Sequence, residues 1–131
     1  MAGSLSDTFE NFLLNFILST TATFTKPTCY LALFTTTPTD AAAGTEVSGS
    51  GYTARLAIPF ATPTSTGTIS NSSIVDFANM PACTVVGIGI YDSATIGSGT
   101  YMFWGTLTTN RTLVAGDTLR IPVGAVTVSL D

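Results

Sequence analysis

Histidine is absent from the 131 residues, and lysine and arginine together number only four. The missing imidazole removes the side chain that most often moves protons near neutral pH. The four cations, Lys26, Arg55, Arg111 and Arg120, are scattered along the chain. Binding of nucleic acid needs clustered positive charge against the phosphates, so that class is excluded. An anionic membrane surface is disfavoured on the same ground. Acids are scarce too. Eight of them leave a net charge of −4, and charged residues make up 9% of the chain, against about a quarter in an average domain. The carboxylates of Asp40, Glu46, Asp76, Asp92 and Asp117 stand singly, with nothing to pair two of them as a glycosidase would. The cysteines number two, Cys29 and Cys83. Their spacing matches no zinc pattern, and no histidine exists to complete one. They form either one disulfide or two buried thiols; the apolar, strand-like run around each favours buried thiols. No EF-hand loop, P-loop or G-x-S-x-G motif occurs. The chain is therefore not expected to be an enzyme or to hold a metal or cofactor.

Long apolar runs are lacking as well. The stretch 12–18 is interrupted by Asn15, is too short to span a bilayer, and has no basic flank of the kind a signal peptide carries. Without such a leader the sequons at Asn71 and Asn110 read as chance matches in a Ser/Thr-rich chain.

Threonine and apolar residues are what the sequence has in quantity. There are 25 threonines, hydrophobic residues reach 45%, and the mean hydropathy is +0.45. A freely soluble monomer carries more surface charge than this. The composition points to a surface partly covered by neighbours in an assembly, rather than to an ordinary β-domain solvated by Ser and Thr.

The chain opens with a helical pattern over about residues 5–19. Leu5, Phe9, Phe12, Leu13, Phe16 and Ile17 recur at helical spacing, and Ser4 with Asp7 fits a capping box. This stripe is expected to pack on the protein's own sheet, while Leu14 and Leu18 widen it and are candidates for an assembly interface. From about residue 28 onward the pattern is β. Residues 28–36 are apolar on both faces, as in a central or covered strand. Residues 37–51 read as an exposed excursion of small residues without packing of its own. Tyr52, Ala54, Leu56, Ile58 and Phe60 alternate with Thr53, Arg55, Ala57 and Pro59, so they form the inner face of a strand that lies at an edge or ends near Pro59. Val75 and Phe77 point inward with Asp76 outward. Residues 85–91 are a buried central strand in which Gly87 and Gly89 leave gaps for another backbone or an aromatic ring. Residues 92–99 form a hairpin loop, and a further strand starts at Tyr101. The whole is mainly β: one domain over 1–131, an antiparallel β-sandwich of about seven strands with one N-terminal amphipathic α-helix.

The order of landmarks resembles a known family. It runs from Leu5-Ser6-Asp7 through the Thr/Pro loop at 35–38 to Gly44-Thr45-Glu46-Val47-Ser48-Gly49 and Tyr52-Thr53-Ala54-Arg55. It continues with Gly87-Ile88-Gly89-Ile90-Tyr91-Asp92, with 114–119 and with the terminal alternation 126–130. The chain is similar in this to small tailed-phage virion proteins, often labelled tail fibre or minor tail protein. Members often carry Trp-Gly-Thr and a His before the Gly-Ile strand, where this chain has Ala82-Cys83-Thr84-Val85-Val86. The resemblance implies a virion structural protein, assembled in the host cytoplasm. Two roles compete. Capsid decoration, by cementing the shell against the major capsid protein or other virion proteins as a homo-oligomer (a trimer by preference), is the first expectation, because nothing in the sequence builds a fibre shaft. The alternative is a tail fibre or minor tail module that attaches to host surfaces or glycans; Tyr101, Phe103 and Trp104 would then be its contact residues, although aromatics in such a run more often build the core. Glu46 and Arg55, on either side of the Gly-rich loop, form a candidate loop-ordering pair.

Overall fold

The computed structural model describes residues 2–20, 25–63 and 67–130. Among them lie one helix and nine strands: β1 (Ala2–Leu5), α1 (Asp7–Leu18), β2 (Tyr30–Phe34), β3 (Leu56–Ala57), β4 (Thr68–Ser70), β5 (Val75–Met80), β6 (Cys83–Tyr91), β7 (Tyr101–Leu113), β8 (Asp117–Ile121) and β9 (Thr127–Ser129). Seven strands make one sheet in the order β3-β2-β6-β7-β1-β9-β4, and β5 with β8 makes a separate ribbon. Pairing is antiparallel except between β1 and β9. The mainly β, sandwich-like fold with one helix agrees with the expectation.

The large sheet curls until its ends meet. Phe60, just past β3, bridges Asn71, just past β4. Two backbone bonds, Ala61 N to Ser70 O and Ser72 N to Pro59 O, each 2.9 Å, complete the seam. Asn71 holds the seam from inside. Its buried amide donates to the carbonyls of Ser73 and Pro122 and accepts from the Val126 N–H, all at 2.9 Å.

The core follows from the strand patterns. Leu31 and Leu33 of β2, Ile88 and Ile90 of β6, Met102 of β7 and Val128 of β9 meet Val75 and Phe77 of β5 and Leu119 and Ile121 of β8. The ribbon thus covers one side of the curled sheet, and Asp76 points outward to a paired Arg120. On the other face of β2, Ala32 and Phe34 form a second cluster with Tyr91 and Tyr101. The two glycines of β6 explain themselves here. A Cβ on Gly89 would stand 2.7 Å from the Phe34 ring, and one on Gly87 would stand 2.6 Å from Pro38.

Four sequence expectations change. The helix starts later than expected, because Ser6 and not Ser4 is its cap: the Ser6 hydroxyl accepts from Phe9 N and donates to the Tyr101 carbonyl. Leu5, counted as helical by its spacing, ends a strand that pairs with β7. The excursion 37–51 is not bare. Val47 and Pro38 are buried, Val47 N bonds the Leu33 carbonyl, and the segment covers Phe34. In the 52–60 alternation only Leu56–Ala57 is strand, and Arg55 is buried while Ala54 is exposed. The reason is a set of polar partners for Arg55 that alternation cannot foresee. Finally, Cys29 and Cys83 are free thiols, each half-buried rather than buried, and desolvation raises the pKa of both.

Candidate functional site

The helix presents an exposed apolar surface. Phe9 is buried, with its ring edge-on to Phe103 at 5.3 Å, and Leu13 is half-buried against the same core. Further along, the stripe is more exposed than expected. Leu14 is 57% exposed, Ile17 68% and Leu18 74%, and Phe12 and Phe16 are each exposed by more than a third. The helix is anchored at its start, where Asp7 N bonds the Asp40 carbonyl of the 37–51 loop and Ser6 N bonds the Met102 carbonyl of β7. Leu14 and Leu18, the candidates for an assembly interface, are thus exposed, and so is Ile17.

Glu46 and Arg55 come together below the Gly-rich loop. Arg55 Nε and Nη2 donate to Glu46 Oε1 and Oε2 at 2.9 and 2.8 Å, a bidentate pair with only 2% of the arginine side chain exposed. Nη1 donates to three carbonyls of the β6–β7 loop, those of Ser93 and Thr95 at 3.1 Å and of Ser98 at 2.7 Å. The guanidinium lies 3.6 Å above the Tyr91 ring. Tyr52 completes the arrangement: its hydroxyl donates to Glu46 Oε1 at 2.8 Å and accepts from Leu33 N at 3.2 Å. One arginine therefore ties together two loops and the central sheet, with each of its three guanidinium nitrogens hydrogen-bonded, which is what a buried charge requires. Tyr52, Tyr91 and the three carbonyls were not singled out by sequence. Loop carbonyls carry no side-chain signal, and Tyr52 read as an ordinary inward residue.

The aromatic trio of β7 is divided among separate tasks. Tyr101 packs on Phe34 and Tyr91, and its hydroxyl donates to the Thr39 carbonyl. Phe103 packs on Phe9. Trp104 Nε1 donates to the Leu5 carbonyl at 3.1 Å and to Asp40 Oδ1 at 2.7 Å. All three are half-buried, and the fold does not array them as one open platform.

A groove of about 960 Å³ opens beside the seam, lined by apolar groups that include Cys29, Ile58, Phe60, Ile69 and Val128, with Lys26 at its margin. No acidic side chain lines it among the described residues. Those residues also contain no cluster of three or more potential metal ligands and no helix long and apolar enough to cross a membrane.

The buried phenols make stability sensitive to alkali. Burial raises the pKa of Tyr52, and the Glu46 carboxylate adds to the shift. Burial likewise raises the pKa of Tyr91 and Tyr101. A tyrosine whose folded pKa exceeds its unfolded value of about 10 binds its proton more tightly in the native state. Its contribution is fully present below that value and declines as pH rises above it. The urea midpoint is expected to begin a shallow fall at about pH 8.5–9, where the two thiols ionise in the unfolded chain, and to fall steeply above about pH 10, with phenolate absorbance appearing as the chain unfolds. A midpoint that stays level at pH 11, or a slope that Tyr52→Phe leaves unaltered, contradicts this.

In a comparison with known families, the model of the family Gp80, described as podophage GP4 fiber I protein gp80, aligns with residues 4–129. No curated protein matches the chain.

Proposed function

The chain belongs to the family of the podophage GP4 fiber I protein gp80, and from that membership we propose that it is a non-catalytic module of a phage fibre, held in the particle by protein–protein contact. The coarse assignment, a structural protein of the tailed-phage virion, is that of the family. The placement within the fibre is supported by the family's description. The observation that carries the contact mechanism is the bare end of α1. Leu14, Ile17 and Leu18 stand exposed on a chain with too few charges to keep such a patch in water at no cost. Burying this patch only in the assembled state ties each copy to the particle by mass action.

No residue is assigned to catalysis, and no cofactor is needed for this role. The network around Arg55 serves it indirectly, by holding two loops in fixed positions so that the surface a partner meets is already formed. Partners are other virion proteins and further copies of this chain.

Capsid decoration is the second reading. It is favoured by the compact β unit, which shows no repeat or shaft among the described residues. Copy number separates the two. Quantitative mass spectrometry of purified particles, with immunogold labelling, is expected to find few copies per particle, with label at the tail. Label over the shell at a copy number approaching that of the major capsid protein replaces the fibre reading with decoration. Absence of the chain from purified particles removes both.

A further inference from the structure

Two apolar surfaces on this chain are left open, and they complement one another. One is convex, the last two turns of α1 with Leu14, Ile17 and Leu18. The other is concave, the groove beside the seam whose accessible lining includes Cys29, Pro59, Phe60, Pro63 and Ile69, over a floor of buried Ile58 and Val128. We infer that the end of α1 of one copy seats in the groove of a second copy. This goes beyond fibre membership, because it names the occupant, the receiving surface and the polarity of the contact.

Size permits it. The exposed parts of Leu14, Ile17 and Leu18 amount to roughly 350 Å², and with an equal area on the partner the contact falls at the small end of protein interfaces, below about 1,200 Å² in total. The groove, at about 960 Å³, is roomy enough for the three aliphatic side chains with part of the helix backbone. Charge supports it as well. The helix carries Asp7 and Glu10 in its first turn and no basic residue in its last, so the negative end of its dipole lacks a counter-charge on the helix itself. Lys26 marks the edge of the groove, and no acid lines it among the described residues. Seating the helix end there brings its carbonyls toward that ammonium.

The contact is head-to-tail: each copy offers a helix and receives one. Such contacts close into rings when the rotation permits and extend into filaments when it does not. A dimer made by two helices facing each other is a different arrangement, and the test separates them.

Cys29 lies in the groove and supplies the probe. One full-length chain carries Leu18→Cys with Cys29→Ser and Cys83→Ser, and is labelled with heavy nitrogen. A second, unlabelled chain carries Cys83→Ser and keeps Cys29. The two are mixed at equal concentration and oxidised mildly, and the disulfides are mapped by mass spectrometry. The mixed 18-to-29 product is expected to exceed both self-pairings by at least several-fold. A dominant 18-to-18 product overturns the proposal in favour of facing helices, and a purely statistical ratio overturns it in favour of random collision. In parallel, light scattering of the unaltered chain is expected to give a multiple of 13.5 kDa. Ile17→Glu, at a position exposed in the single chain, is expected to reduce it to one copy. A chain that is monomeric throughout, or one whose mass Ile17→Glu leaves unchanged, also overturns the inference. None of these results bears on whether the protein is found in purified particles, so failure of the docking and failure of the fibre reading are read separately.

Discussion

Arg55→Ala is expected to lower stability by about 3–5 kcal/mol, the range for removing one member of a buried ion pair. The loss has two parts. Glu46 keeps its charge in a half-buried site with its strongest partner gone, and three loop carbonyls lose the donor that gathers them. For a chain of this length the change corresponds to roughly 10–18 °C in melting temperature. Total stabilities of about 5–15 kcal/mol are usual, so a large fraction of the fold is at stake. Arg55→Lys is expected to fall between, since one ammonium cannot span both carboxylate oxygens and still reach the Ser98 carbonyl. Replacing both partners, Glu46→Gln with Arg55→Met, is expected to cost much less than the sum of the single changes, because no uncompensated charge remains. Urea denaturation followed by circular dichroism measures all of these. Additive effects of the two single substitutions would show that the pair is not an energetic unit.

The second large effect belongs to Phe34. Its ring is fully buried and lies across the backbone of β6, where Gly89 is all that fits beneath it. Phe34→Ala is expected to cost about 3–5 kcal/mol through lost burial and the cavity left behind. Gly89→Ala is expected to cost about 1–3 kcal/mol, because the added methyl needs space that the ring and Tyr101 hold. The two changes are coupled. With the ring gone, the methyl enters a vacancy, so Gly89→Ala in the Phe34→Ala background is expected to be neutral or mildly stabilising. Equal costs of Gly89→Ala in both backgrounds would mean that the glycine answers to something other than the ring.

The glycine–ring pair also marks what could be read from sequence. Alternating glycines within an otherwise β-branched run signal a close approach, and a strand apolar on both faces signals a cover on each side. Both signals are local and concern groups that must lose water. The ribbon pattern of Val75-Asp76-Phe77 is of the same kind. What was illegible depends on partners distant in sequence. Arg55 interrupts an alternation that otherwise points Ala54 inward, and only Glu46 together with carbonyls some forty residues away makes its burial possible. Strand β1 is four residues with no period to detect; its pairing with β7 and β9 is a property of the closed sheet. The helix misled in the opposite direction. Its stripe is real, but amphipathic spacing says only that a face seeks cover, not whether the cover comes from the same chain. Here Phe9 and Leu13 find it at home, and Leu14, Ile17 and Leu18 do not.

The seam between residues 59–61 and 70–72 has a bearing on synthesis. A threonine-rich chain with little charge has the composition of a fibril former. Fibrils grow by adding a strand to an exposed row of backbone donors and acceptors. In this fold the outermost strands of the large sheet spend part of that row on one another, so newly folded copies offer each other less template for runaway growth while they wait to be built in.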